Sequence, residues 1–332
     1  MTVGVNILMA VYNGERFIGE QIESIINQTY KNWKLFIRDD GSSDSTLQIV
    51  FKYQKLDKRI KVITDNLGNL KSCRNFSVLM NNIDDDCNYI MFSDQDDVWL
   101  PNKIEATLKE MIGVETKYGH DFPLLVYTNF MYVTETLQPI EAKKDYNATK
   151  VRNLALSHII AQNPVYGCTM MINKKLLNIV GDIPELAENH DYWIALVASA
   201  FGKIFQLDEK TILYRQHGKN ISGHHDNDMF LKRVNRIIIN KRNFEDVRHK
   251  IKMAVYFRDI YSDCLNKSQR KIVNDFVNFS DTKNISLFLR NIKNGVRRQT
   301  FTQTVLFYVT IFFLKKDFRE TALAKQASIR KS

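Results

Sequence analysis

The sequence lacks the features that mark several common classes of protein. Its four cysteines have no C-x-x-C pair, so neither a disulfide framework nor a zinc site is indicated and a reducing cytoplasm is expected. The first residues have neither a basic n-region nor a small-residue cleavage site, which predicts no secretory signal. No G-x-G-x-x-G and no G-x-x-x-x-G-K-[ST] occurs, so neither a classical dinucleotide loop nor a P-loop is present.

Proline and long apolar runs are also scarce. None of the five prolines follows Pro184, and there is no repeat or low-complexity tract. The uncharged stretch 301–314, FTQTVLFYVTIFFL, is shorter than the about 20 apolar residues that a spanning helix needs. With 332 residues, 44% hydrophobic and 25% charged, the chain is an ordinary globular one, long enough for two domains.

The net charge of +10 is unevenly distributed. Residues 226–332 hold 23 Lys and Arg against 10 Asp and Glu, whereas residues 1–225 hold 24 against 27. The surplus fits either an ordinary solvated helical surface or attraction to a polyanion, nucleic acid or an anionic membrane. We therefore predict a front domain, residues 1–225, followed by a basic helical region, residues 226–332.

Strand-like apolar runs alternate with helical patterns through the front half. Strands are predicted at 5–12, 33–40, 60–65, 88–92 and 123–133, and helices at 15–28, 46–55, 72–82 and from Pro101 to about Gly113. This order predicts an α/β fold with a mainly parallel, Rossmann-like sheet flanked by helices. Later segments predict a strand at 167–173, a buried helix at 190–202, and strands leading into a loop at 203–223.

Polar clusters follow four of the predicted strands. They are Tyr12-Asn13-Gly14, Asp39-Asp40-Gly41-Ser42, Asp65-Asn66-Leu67-Gly68 and Asp94-Gln95-Asp96-Asp97. Because ligands of such sheets bind beyond the carboxyl ends of the strands, the repeated placement predicts one ligand site.

The segment FSDQDDVWLP holds three carboxylates within four residues. Asp97 is expected to cap the helix that starts near Pro101. The remaining pair, Asp94 and Asp96, would repel each other without a cation. Their hard oxygen ligands suit Mg²⁺ or Mn²⁺ bound together with a phosphate group.

Other candidates have both a structural and a functional interpretation. Asp40 belongs either to a strand–turn–helix junction or to a site that accepts a hydrogen bond from a ribose or a base. Asp191 either caps the helix at 190–202 or acts as a general base. His217 is either a loop imidazole or a ligand for an incomplete metal site. Gly167 either permits close approach of a ligand or begins a strand.

Four segments in chain order resemble the inverting glycosyltransferase family 2. They are ILMAVYNGERFIGEQIESIINQTYKNWKLFIRDDGSSDST, YIMFSDQDDVWLPNKIE, HDYWIALVASAFG and LYRQHGKNISG. Within that family they are most similar to bacterial polysaccharide rhamnosyltransferases of the streptococcal type. The resemblance covers residues 4–223 and implies a GT-A fold, with a nucleotide-binding half at about 1–100 and an acceptor-binding half at about 101–225.

The resemblance also implies roles for individual residues. Asp94 and Asp96 match the D-x-D motif, Asp96 as the direct metal ligand, and Asp191 matches the catalytic base, preceded here by His190 instead of an acidic residue. His217 matches a histidine that completes the metal site, and Gly167 and His190 fall on the acceptor side. The nucleotide site would be lined by Ala10, Tyr12, Asn13, Asp40, Gly68 and Asp94.

The implied reaction is the transfer of a sugar, with inversion, from a nucleotide diphosphate donor. Rhamnose from dTDP-rhamnose is expected, and a UDP-hexose or UDP-N-acetylhexosamine is the alternative donor. The expected acceptor is a lipid-linked saccharide in cell-wall or capsular polysaccharide synthesis. A non-enzymatic polyanion-binding protein is a further alternative, but the sequence has no recognisable nucleic-acid motif and no nucleic-acid partner is expected.

The tail offers two interpretations of its apolar stretch. Arg297, Arg298, Lys315 and Lys316 bracket residues 301–314, and residues 284–296 are amphipathic. In one interpretation the stretch is a helix packed in the core or in a homodimer interface. In the other it is an interfacial membrane helix. An enzyme with a lipid-linked acceptor works at the inner face of the cytoplasmic membrane, so we expect peripheral attachment there.

Overall fold

The computed structural model describes residues 3–84, 87–140, 154–217 and 241–314, with the side chains of 241–243 excluded. The predicted loop at 218–223 and the flanking Lys315 and Lys316 lie outside the described residues. By its packing the chain divides into two compact units. The first comprises residues 1–152, 164–185 and 189–225, and the second comprises 153–163, 186–188 and 226–332.

The first unit is built on one eight-stranded sheet. Its strands are β1 (Val5–Val11), β2 (Trp33–Asp39), β3 (Ile60–Ile63), β4 (Tyr89–Ser93), β5 (Val98–Trp99), β6 (Leu124–Val133), β7 (Met170–Asn173) and β8 (Lys203–Arg215). They lie in the order β3-β2-β1-β4-β7-β6-β8-β5. The first four are mutually parallel, β6 is parallel to β8, and the remaining pairs are antiparallel. The predicted mainly parallel sheet is confirmed.

Six helices of the first unit connect the strands of this sheet. They are α1 (Ile18–Ile26), α2 (Thr46–Leu56), α3 (Lys71–Asn81), α4 (Lys103–Tyr118), α6 (Lys174–Val180) and α7 (His190–Phe201). On α1 the residues Ile18, Ile22 and Ile25 are buried, as the helical spacing of its apolar residues predicts. In contrast, α7 is buried along almost its whole length, which is why its sequence is apolar on every face.

The core of the first unit lies against the central strands. Ile7, Leu8 and Met9 of β1 are fully buried although successive side chains point to opposite faces of the sheet. A strand buried on both faces must be apolar throughout, which explains the continuous run in the sequence.

The second unit is helical. It contains the short helix α5 (Leu156–Ile159), followed by α8 (Lys241–Tyr261), α9 (Lys267–Thr282), α10 (Ile285–Lys293) and α11 (Phe301–Phe313). Its core is aromatic, with Phe257, Phe276, Phe279 and Phe307 all buried. Asn266 and Gln269 form a reciprocal capping box that starts α9. None of the described helices is both long and apolar enough to cross a bilayer.

Polar contacts explain why two short segments of the middle chain belong to the second unit. Lys250 is buried and pairs with Glu188 at 2.9 Å and with Asp246, which also pairs with Arg298. Near the other segment, Arg297 Nε donates to His158 Nε2 at 3.1 Å. The boundary predicted after residue 225 lies outside the described residues and stays a prediction, and the two short segments were not predicted.

Two predicted element boundaries are wrong near the D-x-D segment. Helix α4 begins at Lys103 and continues past Gly113 to Tyr118. Asp97 does not cap it: the residue before the helix is Asn102, and Asp97 is buried with its Oδ1 accepting the backbone N–H of Arg215 at 3.1 Å. Farther along, residues 167–169 form a 3₁₀ turn before β7, and 203–215 form one continuous strand.

Gly202, between α7 and β8, has no room for a side chain. A Cβ built there would lie 2.2 Å from the backbone oxygen of Pro123. We predict that Gly202→Ala lowers the urea midpoint of unfolding and costs about 1–3 kcal/mol or more, because backbone must move. Gly113→Ala is the matched control: Gly113 is exposed within α4 with open space around it, so the midpoint should rise by the equivalent of about 0.5–1 kcal/mol. Equal midpoints for Gly202→Ala and wild type would contradict this packing.

Candidate active site

The carboxyl ends of β3, β2, β1 and β4 meet at one edge of the sheet, because these four strands are parallel. The predicted polar clusters follow these ends. Side-chain hydrogen bonds join each cluster to its neighbour, so the four loops form one connected surface. The following contacts establish that surface loop by loop.

Gln95, the middle residue of the D-x-D motif, ties the β4 loop to the β1 loop. Its Oε1 accepts the backbone N–H of Tyr12 at 2.8 Å, and its Nε2 donates to the backbone oxygen of Tyr12 at 3.0 Å. A Cβ at position 14 would lie 2.5 Å from Gln95, so glycine there permits the close approach. Tyr12 itself remains exposed, and its ring is available to a ligand.

Asn13 ties the β1 loop to the β2 loop. Its backbone has φ of 47°, a left-handed conformation that asparagine tolerates better than most residues. Its N–H donates to Ser42 Oγ at 2.8 Å, and its Oδ1 accepts the N–H of Ser43 at 2.9 Å. Asp39 braces the same turn by accepting the N–H and the hydroxyl of Ser42.

Arg38 on β2 is the buried centre of the β2 and β3 loops. Its guanidinium pairs bidentately with Asp65 at 2.7 and 2.9 Å and donates to Asp40 Oδ1 at 2.9 Å. The other two donors reach Asn75 Oδ1 and the backbone oxygen of Gly68. All five N–H donors are thus satisfied, and the guanidinium holds the pKa of Asp65 below its usual value.

Asp40, the predicted base-contacting carboxylate, is buried and already has three partners. Besides Arg38, it accepts the backbone N–H groups of Leu70 and Lys71, each at 2.8 Å. A carboxylate has about four acceptor positions, so one remains for a ligand N–H. Gly68, with φ of +67°, makes the turn that aims the two N–H groups. Ala10 lies beside Arg38 in the β1–β2 register and is partly exposed.

Asp94 lies in a crowded group of acidic side chains. One ligand atom each from Asp94, Asp97 and Cys168 lies within 4.8 Å of the others. The pKa of Asp94 is raised to about 7, mostly by burial and in addition by the charges of Asp96 and Asp191. Burial and the neighbouring carboxylates also raise the pKa of Asp97 and of the Cys168 thiol. The thiol therefore stays protonated and is not a ligand for a hard cation.

Asp96 and His217 meet at the rim of this group. His217 Nε2 lies 2.7 Å from Asp96 Oδ2, and its ring stacks on Phe17 with centroids 5.1 Å apart. Arg215 is buried beneath them, donating from Nε to the backbone oxygen of Asp96 at 2.7 Å and from its guanidinium to Glu20 at 2.5 Å. These contacts hold the D-x-D loop against the end of β8.

The predicted ligand set of Asp94, Asp96 and His217 stays a prediction. Within the described residues, Asp94 lies in a group with Asp97 and Cys168, and Asp97 accepts the Arg215 N–H. The donor types fit a divalent cation. The carboxylate oxygens of Asp94 and Asp96 are hard donors that suit Mg²⁺ or Mn²⁺, and His217 offers a ring nitrogen beside Asp96.

Asp191, the predicted base, lies in the first turn of α7. Its Oδ2 accepts the backbone N–H of Gly167 at 3.0 Å, which orients the carboxylate. The charge of Asp191 also raises the pKa of Asp94, so the two carboxylates lie within electrostatic reach of each other. The start of α7 and the D-x-D loop therefore belong to one site, although nearly one hundred residues separate them in sequence.

His190 is a core residue beneath that site. Its ring stacks on Phe76 with centroids 3.8 Å apart and also contacts Phe92, and burial lowers its pKa to about 3. Among the described residues no group hydrogen-bonds its Nε2. A Cβ on Gly167 would lie 2.4 Å from that nitrogen. Gly167 thus leaves room for the His190 ring, and the acceptor-side roles of Gly167 and His190 stay predictions.

Sequence reasoning did not single out Arg38, Gln95, Cys168 or Arg215 as parts of the site. Only two of them carry a local signal: Gln95 is the middle residue of D-x-D, and Arg215 lies two residues before His217. Cys168 follows Gly167 but reads as an ordinary buried apolar residue. Arg38 could have been identified as the basic side chain that directly precedes the two carboxylates Asp39 and Asp40.

Comparison with known proteins assigns this surface to a class. Residues 6–121 match the family model described as Glycosyl transferase family 2. The chain is 34% identical over 197 residues to the UDP-Glc:alpha-D-GlcNAc-diphosphoundecaprenol beta-1,3-glucosyltransferase WfgD of Escherichia coli, covering 58% of this chain and 69% of that protein. It is 29% identical over 226 residues to the dTDP-rhamnosyl transferase RfbG of Shigella flexneri, covering 65% and 73%.

A solved structure shares the fold. The mannosyltransferase PcManGT from Pyrobaculum calidifontis, in complex with GDP-Man and Mn²⁺, superposes with a TM-score of 0.52 at 14% identity. The match covers 99% of this chain and 80% of that one. At this identity the similarity shows the fold alone, and it confirms the GT-A architecture expected from the sequence.

The raised pKa of Asp94 predicts how the cation-free protein responds to pH. Between its ordinary value of 3.8 and about 7, the folded protein keeps a proton that the unfolded chain has released. This group therefore makes stability fall as pH rises through that window. In EDTA, Asp94→Asn should melt at a higher temperature than wild type at about pH 8 and lose that advantage near about pH 4.

Asp121→Asn, at an exposed carboxylate, is the control and should match wild type at both pH values. A melting temperature for Asp94→Asn below that of wild type at the higher pH would contradict the burial argument.

Proposed function

Since the chain belongs to glycosyl transferase family 2, we propose that it transfers a sugar from a nucleotide diphosphate donor to a saccharide hydroxyl with inversion. One observation carries the proposal. Asp191 at the start of α7 accepts the N–H of Gly167 at 3.0 Å, and the next residue, Cys168, lies within 4.8 Å of Asp94 at the end of β4. A base and a set of cation ligands at one site are what the transfer requires.

Asp191 acts as the general base in this proposal. The acceptor hydroxyl oxygen forms its bond to the anomeric carbon while the bond to the diphosphate breaks, and the electron pair leaves on the diphosphate. The hydroxyl proton passes to the Asp191 carboxylate. The Gly167 N–H orients that carboxylate, and the amino end of α7 favours a negative charge at this position.

Asp94, Asp96 and His217 are the proposed ligands for Mg²⁺ or Mn²⁺. When bound, the ion offsets the charge that develops on the departing diphosphate. Mn²⁺ accompanies GDP-Man in the PcManGT structure, which supports a divalent ion here. Arg215 contributes by holding the D-x-D loop through the backbone oxygen of Asp96.

The nucleotide would lie across the β1 and β2 loops. Tyr12 offers an exposed ring for stacking, Asn13 and Ala10 line the floor, and the remaining acceptor position of Asp40 suits the N–H of a pyrimidine. Gly68 holds the neighbouring turn. Because thymine and uracil both present this N–H, Asp40 does not distinguish dTDP from UDP.

The donor is proposed to be dTDP-rhamnose, as the name of RfbG and the family resemblance favour. A UDP-hexose is the alternative, favoured by the name of WfgD. That name also supports a diphosphate-linked lipid carrier for the acceptor, as in cell-wall or capsular polysaccharide synthesis. Such an acceptor requires the enzyme to work at the cytoplasmic face of the membrane.

Screening of nucleotide sugars with wild type and Asp191→Asn tests the function. We predict that wild type consumes one of dTDP-rhamnose, UDP-glucose or UDP-N-acetylglucosamine in the presence of Mn²⁺. Asp191→Asn should lower that rate by roughly 10²–10⁴-fold because the base is lost. Calorimetric affinity for the nucleoside diphosphate should be unchanged in the variant. No turnover of any donor by wild type would refute the function, and full turnover by Asp191→Asn would refute the base.

Asp96→Ala tests the cation site separately. The affinity for a nucleoside diphosphate should fall in the presence of Mn²⁺, because the bridge between carboxylate and diphosphate is lost. In EDTA the variant and wild type should bind equally weakly. Asp121→Ala is the matched control, since that carboxylate is exposed elsewhere. Unchanged affinity of Asp96→Ala with Mn²⁺ would count against the metal role.

A further inference from the structure

Strongly exposed apolar side chains are concentrated at the end of the described chain. Of the twelve large apolar residues with the greatest exposure, seven lie between positions 285 and 313. On α10, Ile285, Leu289 and Ile292 are 63%, 59% and 44% exposed. Their spacing of four and three residues aligns them in one stripe along the helix.

Helix α11 carries a second stripe. Phe301, Val305 and Phe312 lie on one side of the helix, and Phe313 lies on a neighbouring side. Phe301 and Phe313 are 86% and 71% exposed. Phe307 and Ile311 are buried in the aromatic core, and the half-exposed Phe312 contacts the buried Phe279 with ring centroids 6.2 Å apart. The packing of the helix therefore leaves Phe301 and Phe313 as its most exposed aromatic side chains.

The two stripes belong to neighbouring helices. Phe288 of α10 packs edge-on against Tyr308 of α11, with ring centroids 5.0 Å apart. We call the seven residues Ile285, Leu289, Ile292, Phe301, Val305, Phe312 and Phe313 the α10–α11 face. Single exposed apolar side chains are normal on the surface of a soluble protein. Seven of them on two neighbouring helices form a larger apolar patch, which is typical of an interaction site.

Charge within the segment that forms the face has one sign. Residues 284–314 contain four basic residues, Arg290, Lys293, Arg297 and Arg298, and no acidic residue. Lys293 and Arg297 are exposed, whereas Arg290 pairs with Asp275 at 3.2 Å and Arg298 pairs with Asp246. The apolar side chains thus sit in a basic surround, and this pairing is typical of helices that lie in the plane of an anionic membrane.

We propose that the α10–α11 face docks on an anionic membrane surface, with Phe301, Phe312 and Phe313 entering the interface and the basic residues facing the headgroups. A helix of 13 residues is about 20 Å long, shorter than the bilayer core of about 30 Å, so α11 lies in the interface and does not cross it. The docking rests on the proposed function, because it brings the enzyme to a lipid-linked acceptor.

Charge decides between a membrane and a second copy of the chain. Two copies that met through this face would bring together two basic surrounds with no acidic residue in either segment. Anionic headgroups instead supply the opposite charge. The membrane is therefore the occupant that the described surface favours.

Flotation of the full chain with vesicles tests the docking. Vesicles of phosphatidylglycerol and phosphatidylcholine should bind wild type, and vesicles of phosphatidylcholine alone should bind it much less. The double variant Phe301→Ser/Phe313→Ser should lose roughly tenfold or more of its affinity, because the two most exposed aromatic side chains leave the interface. Leu56→Ser, at a residue of α2 that is 71% exposed, is the matched control and should bind as wild type does.

Tryptophan fluorescence gives a second readout that does not depend on loss of binding. The native Trp33, Trp99 and Trp193 are buried, so quenchers carried on lipid tails should not reach them. Phe313→Trp should be quenched by such lipids in anionic vesicles, and Leu56→Trp should not. Equal quenching of the two variants, or undiminished flotation of the double serine variant, would overturn the proposal.

Two further outcomes distinguish membrane docking from dimerisation through the same face and from the proposed function. If wild type does not float and is a dimer in sedimentation, and the double serine variant dissociates it, the face joins two copies and the membrane proposal is refuted. If wild type floats but consumes no nucleotide sugar, the docking stands and the proposed function fails. With a water-soluble acceptor, the double serine variant should retain the wild-type transfer rate.

Discussion

Acidic charge collected at one edge of a parallel sheet is the constraint on which the rest of the site depends. Three of the four strand ends, those of β2, β3 and β4, contribute carboxylates, and like charges held together in a partly buried place must be compensated. The protein does so in two ways. Around β2 and β3 the compensation is permanent: Arg38 uses all five of its donors, two of them on Asp65 and one on Asp40. Around β4 no arginine among the described residues pairs with Asp94, and its pKa is raised to about 7.

That difference separates the structural carboxylates from the functional ones. Asp39, Asp40 and Asp65, on the proposed nucleotide side, are supplied with hydrogen bonds from within the chain. At the other end, the charge of Asp191 and burial raise the pKa of Asp94, while Asp191 accepts the Gly167 N–H, so this end of the proposed site suits a cation and a proton. The second unit shows a similar division among its apolar residues. Helix α11 has buried residues that pack in the core and exposed residues that do not.

The sequence predicted the sheet and the collection of polar loops at its edge, because apolar runs and the geometry of parallel strands are local and general. It did not predict which carboxylate does what. Asp97 reads as a helix cap by position, but its partner Arg215 lies 118 residues away and draws it inward. His190 and Gly167 likewise appear exposed to a ligand in sequence, yet Phe76 and Phe92 bury the histidine. Such long-range partners are invisible to local patterns.

The central claim is that the carboxylates at the end of β4 bind a divalent cation together with a nucleoside diphosphate. Calorimetric titration of Mn²⁺ in buffers of different ionisation enthalpy, at about pH 6 and with or without UDP or dTDP, measures this directly. The account predicts that binding releases a proton, because Asp94 must ionise, and that the nucleoside diphosphate tightens the affinity for Mn²⁺. Mn²⁺ binding with no proton release and no dependence on the nucleotide would contradict it.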